Sequence, residues 1–129
     1  MSAPARTQGA PLEAACFDLD GTLVDTESLH LQAEVEALRA IGVRALSTGH
    51  PRTFGTGLLP GIRTLAEHYG VGPDGLFAAY APMWEKLVGS ASTLMPGAGE
   101  ALTRLVGRGV PLALVTSSDE AHVNALSSR

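Results

Sequence analysis

Two carboxylates that stand two residues apart, Asp18 and Asp20, are the side chains of this sequence best suited to chemistry. They occur at the end of a mostly apolar run, residues 14–19, which is bounded by Gly21 and predicts a buried strand. Because side chains alternate along a strand, both acids would face one side, about 7 Å apart at Cα. One acid can attack an electrophile while the other transfers protons, and both can hold Mg²⁺.

Simpler interpretations of this segment compete with catalysis. Asp-Gly is a common turn signal, and Gly21 allows a tight turn whose backbone amides approach a phosphate. A calcium-binding loop is the sharper alternative, since Asp18, Asp20, Gly21 and Glu27 match its positions 3, 5, 6 and 12. Cys16 would then occupy position 1, where it supplies no hard oxygen, and a helix would have to replace the predicted strand.

A second polar cluster, Thr116-Ser117-Ser118, follows the apolar run 110–115, which predicts another buried strand. Asp119 then provides N-cap chemistry for a helix. Hydroxyl groups at a strand end followed by a helix N-terminus are suited to bind phosphate. Taken alone, the cluster is equally typical of a plain turn and cap.

The elements that would position these side chains are two strands and about five helices. Asp25 and Thr26 are N-cap residues for a first helix that ends at Gly42, with its apolar stripe at Leu31, Val35, Leu38 and Ile41. Further helices are predicted over 58–69, from Pro73, after Pro96-Gly97, and over 120–126. Pro82 is expected to kink or split the third helix.

Two apolar strands joined through helices predict an α/β protein with a parallel sheet. Residues 1–11 read as a tail without periodicity. The core is assigned to residues 12–24 and 91–129. The helices over 25–90 are too many for one crossover, so they are interpreted as an insertion.

Composition excludes several classes of protein. The 129 residues carry nine Lys plus Arg against thirteen acids, a formal charge of −4, and no basic run, which argues against nucleic-acid binding. No apolar stretch approaches the roughly 18 residues of a membrane span, and the first residues lack a signal-peptide pattern. The single cysteine forms no internal disulfide, and a cytoplasmic location is expected.

The segment FDLDGTLVDTE, residues 17–27, resembles the first motif of the haloacid dehalogenase-like (HAD) hydrolases, and LALVTSS, residues 112–118, resembles their second motif. Residues 95–118 are similar to the segment leading into that second motif in phosphatase-like members. The resemblance implies an incomplete Rossmann-like parallel core with an inserted all-helical cap over 25–90.

The same resemblance implies residue roles and a Mg²⁺ cofactor. Asp18 would be the nucleophile that forms an aspartyl-phosphate, and Asp20 the general acid and base. Asp18 and the backbone carbonyl of Asp20 would hold the metal. Thr116, Ser117 and Gly21 would contact the phosphoryl group of a small phosphorylated metabolite. Because dehalogenases do not carry an acid at the second position, Asp20 implies phosphoryl transfer.

The family pattern continues with a Lys and, on a later strand, an acidic pair. After Ser118 the sequence has no Lys, and its only acids, Asp119 and Glu120, lie in the predicted turn. We therefore expect a C-terminally truncated phosphatase that is weak or inactive, because charge stabilisation dominates phosphoryl transfer. A sugar phosphomutase of the same family and a non-catalytic phosphate- or partner-binding remnant are the alternatives. Exposed strand edges would favour self-association.

Other side chains have less specific patterns. Glu27 and His30 are candidates to face the substrate, although His30 suits a solvated helix position equally well. Arg52 and Arg63 are expected on the surface. Three further residues are expected in apolar interiors: Tyr80 and Trp84 in the helical insertion, and Cys16 in the first strand.

Overall fold

The computed structural model describes residues 11–46 and 48–127. The predicted tail, residues 1–11, lies outside the described residues except for Pro11. The chain order is β1 (Ala15–Phe17), α1 (Glu27–Ala40), α2 (Leu58–Tyr69), α3 (Pro73–Ala91), α4 (Ala98–Gly107), β2 (Leu112–Leu114) and α5 (Glu120–Ser127). None of the helices over the described ranges is long and apolar enough to cross a membrane.

The two strands pair in parallel, so the predicted α/β class is confirmed. Ala15 is opposite Leu112 and Phe17 is opposite Leu114. Backbone hydrogen bonds at both ends, Ala15 N to Pro111 O (2.9 Å) and Val115 N to Phe17 O (2.8 Å), extend the pairing slightly. The carboxyl ends of both strands therefore point to the same edge of the sheet.

The prediction that these strands are buried is wrong. Each strand has only three residues, and Cys16, expected in the core, is exposed, as are Leu114 and Val115. The buried core cluster consists of residues from α1, α2 and α3, which pack on one another and leave much of the strand surface uncovered.

The helical layer formed by α1, α2 and α3 contains the hydrophobic core. Its fully buried members share aliphatic or small side chains, apart from Tyr80, and are Ala33, Ala37, Leu38, Ile62, Leu65, Ala66 and Leu76. Helix α2 has the predicted bounds, 58–69, and buries Ile62, Leu65 and Ala66, whereas Leu58 is exposed. Helix α2 ends at Gly70, which has a left-handed backbone conformation (φ 66°) that glycine adopts at little energetic cost.

The stripe predicted for α1 is confirmed at Leu38 but is wrong at Leu31 and Ile41. Leu31 and Ile41 are exposed, whereas the buried face is Leu29, Ala33, Glu34, Ala37 and Leu38. Apolar residues occur on more than one side of this helix, so hydrophobic periodicity alone did not identify the buried face. The buried face includes a carboxylate, Glu34, which a hydrophobicity pattern assigns to the solvent-exposed face.

Helix α3 continues through Pro82 as a single helix, so the predicted split does not occur. Pro82 removes the hydrogen bond to the carbonyl of Ala78, and both residues are exposed, where water can satisfy that carbonyl. Pro73 occupies the first turn, as predicted.

The segments before α1 and after α3 are hydrogen-bonded to each other. Val24 and Leu94 form an antiparallel bridge, Asp25 N donates to Thr93 O (2.9 Å) and Met95 N donates to Leu23 O (2.8 Å). The helical layer is thus connected to the strands by two adjacent chain segments. The domain boundaries predicted at residues 24 and 91 stay predictions.

Truncation of the α2 core is expected to destabilise the protein strongly. Leu65→Ala removes a fully buried side chain and should lower the free energy of unfolding by about 2–5 kcal/mol. Leu59→Ala is the matched control on the same helix, because Leu59 is 58% exposed. Urea unfolding followed by circular dichroism measures both, and equal losses would contradict the assigned core.

Candidate functional site

A cavity of about 580 Å³ lies where the carboxyl end of β1 meets the helical layer and α5. Its floor carries Asp18, Asp20, Ser117, Ser118 and Asp119. Its upper wall comes from α1, the loop before α2, the start of α2, and α3. The wall residues are His30, Thr53, Phe54, Gly55, Gly57, Leu58, Tyr80 and Trp84, and His122 of α5 closes one side.

The turn after β1 is built by backbone hydrogen bonds around Leu19. The carbonyl of Leu19 accepts from the amides of Thr22, Leu23 and Val24 at 2.9–3.2 Å, and Gly21 N donates to Val24 O at 2.8 Å. Gly21 has φ +75°, which other L-residues rarely adopt. The chain therefore folds back tightly and leaves the Asp18 side chain exposed at the cavity. A strand rather than a helix precedes the turn, which excludes the helix–loop–helix calcium interpretation.

Asp20 is held by two side chains from the region after β2. Ser118 Oγ donates to Asp20 Oδ2 at 2.5 Å, and His122 Nε2 donates to Asp20 Oδ1 at 2.8 Å. Burial disfavours the charged form, but these hydrogen bonds and the nearby Thr26 hydroxyl outweigh that effect and lower the pKa of Asp20 to about 2. Asp20 is therefore a carboxylate over the physiological pH range.

The structure brings three of the predicted site residues to the cavity: Asp18, Asp20 and Ser117. Thr116 and Gly21 are not among its lining residues. The Thr116 hydroxyl instead accepts a hydrogen bond from Ser118 N at 3.1 Å, which shapes the turn after β2. The roles assigned to these five residues remain predictions.

Two residues at the site, Ser118 and His122, have roles that sequence reasoning missed. The Asp119 carboxylate accepts from His122 N at 2.8 Å and caps α5, which places the His122 side chain in the first helical turn, directed at Asp20. The His122 ring also stacks on Trp84 of α3, with ring centroids 5.6 Å apart. The spacing Asp-x-x-His at the predicted helix start was the available signal.

Several residues in or near the cavity wall were assigned other or open positions by the sequence prediction. Tyr80 is buried, but it and Trp84 both line the cavity instead of serving only as core. His30 is at the cavity as well, with its side chain 14% exposed. Arg52 and Arg63 are exposed as predicted, and Arg52 pairs with Glu27 at 2.9 Å.

A magnesium ion fits the donor chemistry of this site only in part. Asp18 offers an exposed carboxylate as one ligand. The Asp20 side chain already accepts hydrogen bonds from Ser118 and His122, so the second oxygen ligand would be the backbone carbonyl of Asp20. Mg²⁺ commonly takes one or two protein oxygens and completes its shell with water and phosphate. Within the described ranges, no group of three or more acidic, His or Cys side chains is arranged so that it could hold a metal ion.

The sequence model of the haloacid dehalogenase-like hydrolases matches residues 12–128, nearly the whole chain. The chain belongs to the haloacid dehalogenase-like hydrolase family. The resemblance inferred from the two motifs is thereby confirmed.

Individual members of the HAD family support the same assignment. A phosphoglycolate phosphatase of Rhodobacter capsulatus is 37% identical over 110 residues, which cover 81% of this chain and 50% of that protein. A HAD family hydrolase of Deinococcus radiodurans, solved with bound phosphate and sodium, superimposes with a TM-score of 0.72 at 26% identity, covering 92% of this chain and 52% of the other. CbbY of Rhodobacter sphaeroides, solved as a variant with xylulose-1,5-bisphosphate, gives 0.65 at 25% identity, covering 90% and 56%.

This HAD-like chain spans about half the length of the curated relatives it matches. The relatives establish a phosphatase-type family and a Rossmann-like fold. The activity, metal and substrate of the whole protein are therefore stated as proposals.

The Asp20 cluster is expected to contribute stability that depends on pH. The pKa of about 2 in the folded protein lies below the ordinary value of 3.8, so the stabilisation is complete above about pH 4 and is lost as the pH falls through 2. A shift of this size corresponds to on the order of 2 kcal/mol. Asp20→Asn should therefore flatten the acid limb of a plot of melting temperature against pH.

The control is Glu67→Gln, which changes an exposed carboxylate on α2. It should leave the wild-type pH dependence in place. An unchanged acid limb in the Asp20→Asn protein would contradict the assigned hydrogen bonds.

Proposed function

We propose that this chain carries the nucleophile and the acid–base residue of a Mg²⁺-dependent phosphomonoester hydrolase. The observation that supports this most directly is the shared cavity of Asp18 and Asp20 at the edge where both parallel strands end. Ligands in open α/β sheets bind at this edge. The exposed Asp18 carboxylate is free to approach an electrophile, whereas Asp20 is fixed by Ser118 and His122.

The proposed reaction has two steps. An oxygen of the Asp18 carboxylate attacks the phosphorus of the ester, the bond from phosphorus to the ester oxygen breaks, and the departing alkoxide takes a proton from Asp20. Water then attacks the phosphorus of the aspartyl-phosphate. Asp20 accepts the water proton, the carboxylate of Asp18 is regenerated, and inorganic phosphate leaves.

The charge on Asp20 favours the second of these steps. Hydrogen bonds from Ser118 and His122 stabilise its carboxylate, which is the form that accepts a proton from water. The first step requires the protonated form. An anionic phosphoryl group beside Asp18 promotes it, because a nearby negative charge raises the pKa of a carboxyl group.

Magnesium would supply charge neutralisation for the phosphoryl oxygens when bound by Asp18 and the Asp20 carbonyl. The residues that line the described cavity include three Asp and no Lys or Arg. A cation is therefore required for a phosphate to approach Asp18, and turnover by this chain is expected to be slow.

The helical layer is proposed to be the cap over this site. It provides most of the upper wall of the cavity and is joined to the strands through the adjacent segments at Val24 and Leu94. A mutase would bind a second phosphate with cap cations, but the exposed Arg52 and Arg63 do not line the described cavity. This favours a phosphatase whose substrate is a small phosphorylated metabolite.

Asp18→Asn is expected to abolish phosphoenzyme formation. Incubation of the wild-type chain with Mg²⁺ and p-nitrophenyl phosphate should give a small fraction carrying one phosphoryl group on Asp18, seen by mass spectrometry after rapid acid quenching. The amide of the variant is a poor nucleophile, so the adduct and the slow release of p-nitrophenol should both disappear.

Asp119→Asn serves as the comparison, because Asp119 lines the same cavity without a proposed covalent role. It should still form the adduct. Release of p-nitrophenol at the wild-type rate by the Asp18→Asn protein would overturn the proposed nucleophile.

A further inference from the structure

The helical layer contains a buried carboxylate that the proposed reaction does not use. The Glu34 side chain on α1 is 2% exposed, and both of its oxygens are bonded to polar side chains. Oε1 accepts from the Thr53 hydroxyl and lies 3.1 Å from His30 Nε2, and Oε2 lies 2.9 Å from His50 Nε2. A single carboxylate thus joins two imidazole rings and the loop that precedes α2.

The ionisation of Glu34 determines the direction of these hydrogen bonds. Burial raises its pKa, but hydrogen bonds from His30, Thr53 and His50 reverse the effect and leave the pKa below its usual value. A carboxylate accepts hydrogen bonds and donates none. His50 must therefore carry a proton on Nε2, which it donates to Oε2 of Glu34. The Thr53 hydroxyl gives its own proton to Oε1, so its oxygen accepts from His30 Nε2 at 3.0 Å, and His30 carries a proton on Nε2 as well.

The other nitrogen of each ring is then also determined. In a neutral imidazole, Nδ1 becomes an acceptor once Nε2 carries the proton. His30 Nδ1 is 2.7 Å from the Tyr80 hydroxyl, and His50 Nδ1 is 2.8 Å from the Tyr69 hydroxyl, so each tyrosine donates to its histidine while that ring is neutral. Tyr69 in turn accepts from Leu46 N at 3.1 Å.

Three members of this network reach the cavity, namely His30, Thr53 and Tyr80, whereas Glu34 does not line it. The His30 ring also makes edge contacts with Phe54 and Trp84, at centroid distances of 5.9 and 6.0 Å. This wall lies on the helical side of the cavity, opposite the strand ends that carry Asp18 and Asp20. It therefore faces the organic group of an ester whose phosphate is at Asp18.

We propose that Glu34 is a positioning residue, which holds His30 and Thr53 in one arrangement and so presents an ordered wall to the organic group of the substrate. His50 braces the same carboxylate from the side away from the cavity. The proposal rests on the proposed function only for the location of the organic group.

Glu34→Gln tests this arrangement because it replaces two acceptor oxygens with one acceptor and one NH₂ donor. The amide cannot accept both from the Thr53 hydroxyl and from His50 Nε2–H. Either His50 changes to the Nδ1–H tautomer or loses its contact, or Thr53 turns its hydroxyl and alters its hydrogen bond with His30, so the wall loses its fixed order. Glu36→Gln is the matched control, since Glu36 is on the same helix and pairs only with Arg39 among the contacts of the described chain.

The first measurement assigns the histidine tautomers by ¹⁵N NMR of the ring nitrogens of the full chain, at a pH where both rings are neutral by their own titration. Wild type and Glu36→Gln should show Nε2–H for both His30 and His50. Glu34→Gln should lose this pattern in at least one ring. An Nδ1–H tautomer in wild type, or unchanged rings in Glu34→Gln, would overturn the proposal.

The second measurement compares two probes in the presence of Mg²⁺ by chemical-shift titration. Glu34→Gln should weaken binding of p-nitrophenyl phosphate about tenfold, as expected for disordered hydrogen bonds at the wall, and leave inorganic phosphate unaffected. Equal weakening of both probes, or of neither, would refute a positioning role.

Two further results distinguish a variant that does not fold, and a failure of the proposed function, from a failure of this proposal. If the Glu34→Gln protein does not fold, Tyr80→Phe keeps the packed ring and removes the hydroxyl, and it should weaken p-nitrophenyl phosphate selectively while the tautomer of His50 stays unchanged. Should wild type bind neither probe, the proposed function fails, whereas the wild-type tautomers still decide whether Glu34 orders both rings.

Discussion

The parallel pairing of β1 with β2 is the constraint on which the site depends. It places residues 98 positions apart, Asp20 and Ser118, within one hydrogen bond of each other. Parallel strands align their carboxyl ends, so the turn after each strand opens on the same side. Tertiary contacts then complete the cavity, as α5 turns His122 towards Asp20 and towards Trp84 of the helical layer.

Two carboxylates, the partly buried Asp20 and the buried Glu34, organise the two sides of the cavity in different ways. Asp20 accepts hydrogen bonds from Ser118 and His122 near the strand ends, and Glu34 accepts from Thr53 and two histidines within the helical layer. Each carboxylate remains charged because donors surround it, since an unpartnered buried charge is costly. The first arrangement fixes a group proposed to move protons, and the second fixes the wall that faces it.

The strand end and the tight turn after β1 were predicted from the sequence because their signals are local. Asp18, Asp20 and Gly21 lie within four positions of one another, so a strand end and a tight turn are sufficient to arrange them. The orientation of α1 was not predicted, because hydrophobic periodicity assigns Glu34 to the solvent-exposed side of the helix. Periodicity contains no information about the hydrogen bonds that Glu34 accepts from His50 and Thr53. The continuation of α3 through Pro82 was also not predicted, because it depends on whether the carbonyl of Ala78 is exposed to water.

The sequence by itself determined the family, the order of strands and helices, and the two acids at the end of the first strand. Residue type and short spacing carry that information. Only the tertiary structure decided which side chains complete the cavity: His122 and Ser118 at Asp20, and His30, Thr53 and Tyr80 on the opposite wall. These contacts join elements far apart in the chain, and hydrogen bonds between such elements leave no periodic pattern in the sequence.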